Sequence, residues 1–262
     1  MNKIMSSTLA LALVPLAGLS ASSRSEDFRW NARIPAGRSL EIKGVNGAIE
    51  AAPATGDEAE VVAVKRGRRD DPAEVEIKVV DHAGGVTICA VYPSRRASRP
   101  NECVAGEGGR LGADHNDIDV SFVVKVPAGV SFVARTVNGS VEAEGLDGDV
   151  HAQTVNGGIT AKAKGLVEAA TVNGSITASL GRSNGDEPLR FKTVNGGITV
   201  DLPESTSAQL HASTVNGEIE TDFPLTVKGR FNSKSLSGAM GGGGRELSLE
   251  TVNGSIRLRK SR

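Results

Sequence analysis

The stretch TVNGSI at Thr171–Ile176 decides the fold, because it returns unchanged at Thr251–Ile256 and in shorter form elsewhere in the chain. A variant, GVNG, begins at Gly44. An Asn-Gly pair between apolar residues is a strong signal for a two-residue β-hairpin turn. Recurrence along one chain is instead typical of repeat architectures, in which similar units stack on one another. The tetrapeptide TVNG begins at Thr136, Thr154, Thr171, Thr193, Thr214 and Thr251.

The similarity between the copies extends beyond these four letters. In the copy at Thr171, apolar Val167 and Ala169 precede the motif, and Ile176 and Ala178 follow it, with polar residues between them. This alternation predicts two short β-strands per unit, one on each side of Asn-Gly. If SLSG at Ser235–Gly238 is a degenerate copy of the motif, the repeat length is about 19 residues.

Two all-β architectures satisfy this pattern, because both direct the same apolar positions inward. In a meander each Asn-Gly is a hairpin turn, whereas in a solenoid it is a corner between stacked coils. The residue after the threonine, Val172 in this copy, favours the solenoid, because a corner lets it fold inward and stack on its counterparts. The sequence therefore predicts a single-stranded β-solenoid of the parallel β-helix kind, with a less regular N-terminal β region. The meander is the alternative.

The asparagine of each motif predicts a ladder along the stack. We expect it to adopt a left-handed conformation, which costs asparagine little, and its amide to hydrogen-bond to the next coil. Ser237 of the degenerate copy would interrupt the ladder. Its members are Asn46, Asn138, Asn156, Asn173, Asn195, Asn216 and Asn253.

The N-terminus has the pattern of an export signal. Lys3 is followed by the apolar run Leu9–Leu19 and then by small residues. This run is shorter than the roughly 20 residues of a membrane-spanning helix. We therefore predict a signal peptide at 1–22, no membrane span in the mature chain, and export to the periplasm or the cell surface. A buried N-terminal strand is the alternative.

The remaining chain divides into an N-terminal β region at 23–130 and the TVNG-repeat solenoid at 131–262. Its only two cysteines, Cys89 and Cys103, predict a disulfide in an exported protein. A metal site that adds His82 and His115 is the alternative, although the spacing matches no zinc pattern.

The disulfide would tether a long loop at 93–116, which is rich in glycine and arginine. Arginine suits anionic partners, so this loop is a candidate contact surface, and a merely solvated loop is the other interpretation. Its arginines are Arg95, Arg96, Arg99 and Arg110.

Motif searches give no catalytic, cofactor-binding or metal-binding pattern, since the chain lacks a P-loop and H-E-x-x-H. Its one G-x-S-x-G match, GRSNG at 181–185, lies among short β-strand repeats without the helix that a nucleophile elbow requires. The net charge of −1 gives no electrostatic reason to expect nucleic acid as a partner. Stacked coils would, however, align four polar residues three positions before the motif on one outer face. These are His151, Glu168, Arg190 and His211. They form either a small binding strip or an ordinary solvated face.

The TVNG repeats, the segment ICAVYPSR and the closing GAMGGGGRELSLETVNGSIRLRK resemble the bacterial putative-adhesin domain family of unknown function. The resemblance covers Ser39 to about Lys260 and implies an exported β-solenoid without catalytic residues. It favours a non-enzymatic envelope or surface scaffold, whose partner, an envelope glycan or a protein, is unknown. The alternatives are a polysaccharide lyase or hydrolase built on a β-helix, and an envelope-stress accessory protein that binds a protein partner.

Overall fold

A computed structural model describes residues 24–94, 99–182, 185–226 and 234–261. The predicted signal peptide, Arg95 and Arg96 lie outside the described residues. The described chain contains 21 strands and one short 3-10 helix, Pro72–Glu74. In chain order the strands are β1 (Arg24–Arg33), β2 (Ser39–Lys43), β3 (Ile49–Pro53), β4 (Glu58–Gly67), β5 (Glu76–His82), β6 (Gly85–Val91), β7 (Asp119–Val126), β8 (Ser131–Arg135), β9 (Val141–Leu146), β10 (Val150–Gln153), β11 (Ile159–Ala163), β12 (Val167–Ala170), β13 (Ile176–Leu180), β14 (Leu189–Lys192), β15 (Ile198–Leu202), β16 (Ala208–Ser213), β17 (Ile219–Thr221), β18 (Leu225–Thr226), β19 (Ser235–Met240), β20 (Glu246–Glu250) and β21 (Ile256–Lys260).

The strands form two sheets, and each TVNG corner carries the chain from one sheet to the other. Sheet A has the order β1-β4-β7-β3-β9-β11-β13-β15-β21-β17. Sheet B has the order β18-β19-β16-β20-β14-β12-β10-β8-β2-β6-β5. Within the repeats, equivalent strands of successive copies pair in parallel, for example β10 with β12 and β11 with β13. This parallel stacking confirms the predicted β-solenoid and excludes the meander.

The core lies between the two sheets and follows the alternation in the sequence. In the copy at Thr171, the inward positions Val167, Ala169, Ile176 and Ala178 are all buried. Successive side chains of a strand point to opposite faces, so the polar residues between them form the outer faces of the sheets.

The corner differs from the prediction in most copies, because valine is exposed and threonine is buried there, although Val45 of the GVNG corner is itself buried. Val172 is 39% exposed and Val215 is 60% exposed, whereas Thr171 is 4% exposed. The hydroxyl of Thr171 donates a hydrogen bond to the carbonyl oxygen of Gly157 in the adjacent coil, at 2.9 Å. The inference of a solenoid was correct, but the reason given for it, an inward valine, was wrong. A threonine can be buried here because its hydroxyl has a backbone partner.

The asparagines form a continuous row of side-chain hydrogen bonds. From Asn138 onward, each Nδ2 donates to the Oδ1 of the neighbouring asparagine at 2.8 Å, as from Asn156 to Asn138 and from Asn173 to Asn156. Asn46, at the end of the row, donates to the carbonyl oxygen of Ile118 instead, at 3.4 Å. The left-handed conformation predicted for them is wrong: among the described non-glycine residues only His115 has a positive φ, of 55°. The corner bends on both sides of the asparagine and continues the parallel pairing through bridges from asparagine to asparagine.

The glycine after each asparagine is required by the close approach of the coils. A Cβ atom built on Gly157 would overlap the carbonyl oxygen of Gly139, and one on Gly174 would overlap that of Gly157. The next residue, Gly158, has room, since its Cβ would come no nearer than 3.4 Å to Ser175. Asn-Gly therefore marks tight stacking in this chain rather than a hairpin.

The order of the coils in the stack differs from their order in the sequence. The last copy inserts before the preceding one, because Asn253 bridges both Asn195 and Asn216. The prediction that the segment SLSG is a degenerate coil is wrong. It is part of β19, in which Leu236 pairs antiparallel with Ala212 of β16. Ser237 therefore does not interrupt the ladder. Strand β19 alternates like a coil strand, with Leu236 buried, but it lies between β16 and the edge strand β18 of sheet B.

The N-terminal strands join the same stack. Strands β2 and β3 flank the GVNG corner, and Asn46 bridges Asn138 of the first repeat. Strands β6 and β7 add a further layer in parallel to β2 and β3, with the disulfide loop in place of a TVNG corner. Beyond them, β5 continues sheet B, whereas β4 and β1 continue sheet A. Sheet A therefore extends one strand further than sheet B at this end.

Candidate functional site

The disulfide loop folds back over the outer face of sheet B. Cys89 on β6 is bonded to Cys103, with their Cα atoms 5.7 Å apart, so these sulfur atoms are not available to a metal. Lys43 lies beside Cys89 in the register of β2 and β6. Its ammonium donates hydrogen bonds to the carbonyl oxygens of Val104, at 2.6 Å, and of Gly106. The disulfide and the hydrogen bonds that Lys43 donates therefore fix the position of the loop.

A buried charge cluster lies beneath this loop. Glu41 is 4% exposed, and its carboxylate accepts hydrogen bonds from Thr87 Oγ1 at 2.8 Å, Arg135 Nε at 3.1 Å and the backbone N–H of Gly106 at 2.9 Å. Burial lowers the pKa of the Lys43 ammonium, and the nearby Glu41 carboxylate opposes this shift. Because these groups satisfy one another, the cluster serves as the anchor of the loop.

A shallow groove of about 290 Å³ lies beside the loop on the outer face of sheet B. Strands β10, β12 and β14 form its floor, and Glu107 of the loop forms one wall. The floor side chains point outward because their neighbours in each strand point into the core. The lining residues are Glu107, His151, Ala152, Gln153, Glu168, Ala169, Ala170, Arg190 and Lys192.

Among the described residues, the groove combines a hydrogen-bonded pair, His151 and Glu168, with a cation that has no ion-pair partner, Arg190. His151 Nδ1 lies 3.0 Å from Glu168 Oε2, and this hydrogen bond raises the pKa of His151. Lys192 is paired with Glu250 at 3.1 Å. The exposed side chain of Arg190 makes no ion pair with any residue that the structure describes. Its guanidinium can therefore bind an anionic group without first breaking an internal contact.

The groove brings together three of the four polar residues expected in one row. His151 pairs in register with Glu168 on the neighbouring strand, and Arg190 follows on β14. His211 does not follow Arg190, because the inserted strand β20 places Ser248 between them. The prediction of four successive neighbours is wrong for that residue, whose Nδ1 lies 3.1 Å from Ser237 Oγ instead.

The two loop arginines that the structure describes lie outside the groove. Arg99 and Arg110 are exposed, and neither lines it. Sequence reasoning missed Gln153 and Lys192, although both occupy an outward position one residue before the motif threonine. It also missed Glu107, whose place depends on the tether at Cys103 and on Lys43, and no periodic pattern could have indicated it.

Open on one side, the groove offers a guanidinium, an imidazole and carboxylates, which suit hydroxyl and carboxylate groups of a polar chain molecule. The described residues contain no group of His, Cys, Asp and Glu side chains arranged to hold a metal ion. In the part of the chain covered by the structure, no helix is long and apolar enough to cross a membrane.

The solved structures that match this chain share little sequence with it. A putative cell adhesion protein from Clostridium sporogenes has a TM-score of 0.48 at 11% identity, covering 91% of this chain and 100% of its own. A putative adhesin from Bacteroides fragilis has a TM-score of 0.29 at 10% identity, covering 90% of this chain and 97% of its own. No protein with a curated description matches the chain.

The sequence comparison is more specific than the structural one. Residues 131–259 match the model of the Toastrack family DUF4097, and this range spans the TVNG repeats from β8 to β21. The match confirms the resemblance found in the repeats. The chain therefore contains a Toastrack domain, and its repeat region belongs to the DUF4097 family.

Proposed function

We infer that the protein is a non-enzymatic, adhesin-like interaction scaffold, exported to the cell envelope or surface, and that the groove on sheet B is its contact site. The observation that carries the proposal is the covalently fixed loop beside a regular polar face, which creates the groove between Glu107 and Arg190. Membership in the Toastrack family and the export signal predicted at 1–22 support this assignment.

The chemistry of the groove favours an acidic glycan as the ligand. Arg190 presents a planar guanidinium without an ion-pair partner in the described part of the chain, and such a group binds carboxylates through paired hydrogen bonds. Protonated His151 adds a second donor, since Glu168 raises its pKa. The carboxylates of Glu107 and Glu168 can accept hydrogen bonds from sugar hydroxyls. A chain of uronic acids fits this combination of donors and acceptors.

An enzymatic function has less support in this geometry. Glycoside hydrolysis requires two carboxyl groups that flank the scissile bond, whereas the floor of this groove presents Glu168 already engaged by His151. A lyase would need a base beside a cation that neutralises the substrate carboxylate, and His151 near Arg190 is the one arrangement that favours it. Formation of unsaturated sugar products therefore decides between binding and turnover.

The test is calorimetric titration of the protein with alginate, a polyuronate, and with neutral dextran at the same concentrations. We expect alginate to bind and dextran not to bind. Arg190→Gln should weaken alginate binding by about tenfold, or about 1.4 kcal/mol. Binding should also weaken as the pH rises through the raised pKa of His151, because the imidazole then loses its charge.

Arg257→Gln is the matched control, since Arg257 is also exposed but lies on sheet A, paired with Glu220 at 2.9 Å. It should leave alginate binding unchanged. Equal binding by wild type and Arg190→Gln would contradict the assignment of the groove. Release of unsaturated oligosaccharides from alginate, abolished by His151→Gln, would contradict the non-enzymatic assignment.

A further inference from the structure

The first strand leaves a long free edge at one end of sheet A. Strand β1 runs for ten residues and pairs antiparallel with β4 on one side. No other described strand pairs with its opposite side. A free edge of this length, which contains no proline, is a template for pairing with another strand.

The same strand also leaves apolar surface incompletely covered. Because sheet A extends one strand beyond sheet B, no strand of sheet B lies opposite β1. Its inward residues Phe28 and Trp30 are only half-buried against the core, and they alternate with exposed Asp27 and Arg29. A partner at this edge would therefore supply both backbone hydrogen bonds and cover for two aromatic rings.

The charges of β1 complement a second copy of the same strand. Directly opposite residues of an antiparallel pair lie on the same face, so a two-fold axis must pass through a residue of β1 and not between two residues. An axis at Asp27 or at Arg29 would place like charges against each other. An axis at Phe28 places Asp27 of each copy opposite Arg29 of the other.

An axis at Phe28 also pairs more residues of the strand than an axis at Trp30 would. It extends the pairing from Arg24 to Ala32. An axis at Trp30 would also avoid like charges, since Asp27 would face Arg33, but it would pair only residues 27–33. Within one copy, Arg29 and Asp27 lie 4.0 Å apart and are largely exposed, so both remain available to a partner.

We propose that the chain forms a two-fold symmetric dimer in which β1 pairs antiparallel with β1 of a second copy, with Phe28 at the axis. Sheet A then runs continuously through both copies. The axis is perpendicular to the sheet, so both copies of sheet B lie on the same side and both grooves face the same direction. The dimer does not depend on what the groove binds, but it would make that binding bivalent.

The first test measures the mass of the protein, expressed from its full sequence, by sedimentation equilibrium over a range of concentrations. We expect a dimer. Arg29→Asp should weaken the dimer by at least about tenfold, because it sets aspartates against each other at two symmetric positions. The exchanged variant Asp27→Arg/Arg29→Asp should restore the dimer, and Arg33→Asp, outside the pairing, should leave it intact. A wild-type monomer at all concentrations, including one that pairs only with another protein, would overturn the proposal.

The second test identifies the register. The two native cysteines are already bonded to each other, so a cysteine introduced in β1 is the only free thiol. Oxidation with copper phenanthroline in air should cross-link Phe28→Cys into a covalent dimer, because residues opposite each other have Cβ atoms about 5 Å apart. Trp30→Cys, on the same face, should not cross-link. Cross-linking of Trp30→Cys without that of Phe28→Cys would refute the register.

Discussion

At the scale of single residues, threonine contributes more to the TVNG motif than valine does. Thr171 is buried and donates its hydroxyl to the carbonyl of Gly157, and Thr154 makes the same contact with Gly139 at 2.8 Å. Val172 stands outside the corner, 39% exposed. Recurrence in the sequence indicates that both positions face copies of themselves. It does not indicate which one points inward, because threonine and valine have nearly the same shape.

Replacement of the buried hydroxyl tests this assignment. Thr171→Val should lower the free energy of unfolding by about 1–3 kcal/mol, because it leaves the carbonyl of Gly157 without its hydrogen bond. Val172→Ala, one residue away, should cost less than about 1 kcal/mol, since 39% of the surface of Val172 remains in water in the folded protein. Urea unfolding measures both values. A larger loss of unfolding free energy for Val172→Ala than for Thr171→Val would indicate that the valine, and not the threonine, points into the core.

At the scale of the repeated element, the pattern of strands was predictable and their order was not. Alternation identified the strands beside each corner, since one face is apolar throughout. The gap between the copies at Thr214 and Thr251 indicated an irregularity, but a coil strand and an antiparallel strand alternate in the same way. Leu236 is buried in either case, so the sequence could not distinguish a degenerate coil from the antiparallel strand β19.

The close spacing of the coils can be tested by replacing the glycine at a corner. Gly157→Ala should destabilise the protein by about 3 kcal/mol or more, the upper range for overpacking, because the new Cβ would overlap the carbonyl of Gly139. Gly158→Ala is the matched control and should cost much less, as its nearest contact would be 3.4 Å. If the two variants unfolded at the same urea concentration, the close contact assigned to Gly157 and Gly139 at the corner would be wrong.

At the scale of the whole molecule, the regular part of the groove followed from the sequence, and the irregular part did not. The row of His151 and Glu168 could be predicted from position within the repeat. Glu107 could not, because the path of the loop depends on long-range contacts of Lys43 and Glu41 rather than on any periodicity. Strand β1 was also missed, since its outward charges and half-buried aromatics give only a weak alternation.

The disulfide loop connects stability to the shape of the groove. Reduction of the Cys89–Cys103 bond, which spans 14 positions in the sequence, should lower the free energy of unfolding by about 3 kcal/mol on the chain-entropy estimate. It should also loosen the loop, so that the amide of Gly106, bonded to Glu41 at 2.9 Å, exchanges its hydrogen faster. Urea unfolding and hydrogen exchange with and without dithiothreitol measure the two effects. The double variant Cys89→Ser/Cys103→Ser should resemble the reduced protein and should not respond to dithiothreitol. If the Gly106 amide stayed equally protected after reduction, Lys43 and Glu41 alone would hold the loop, and the groove would not depend on the disulfide.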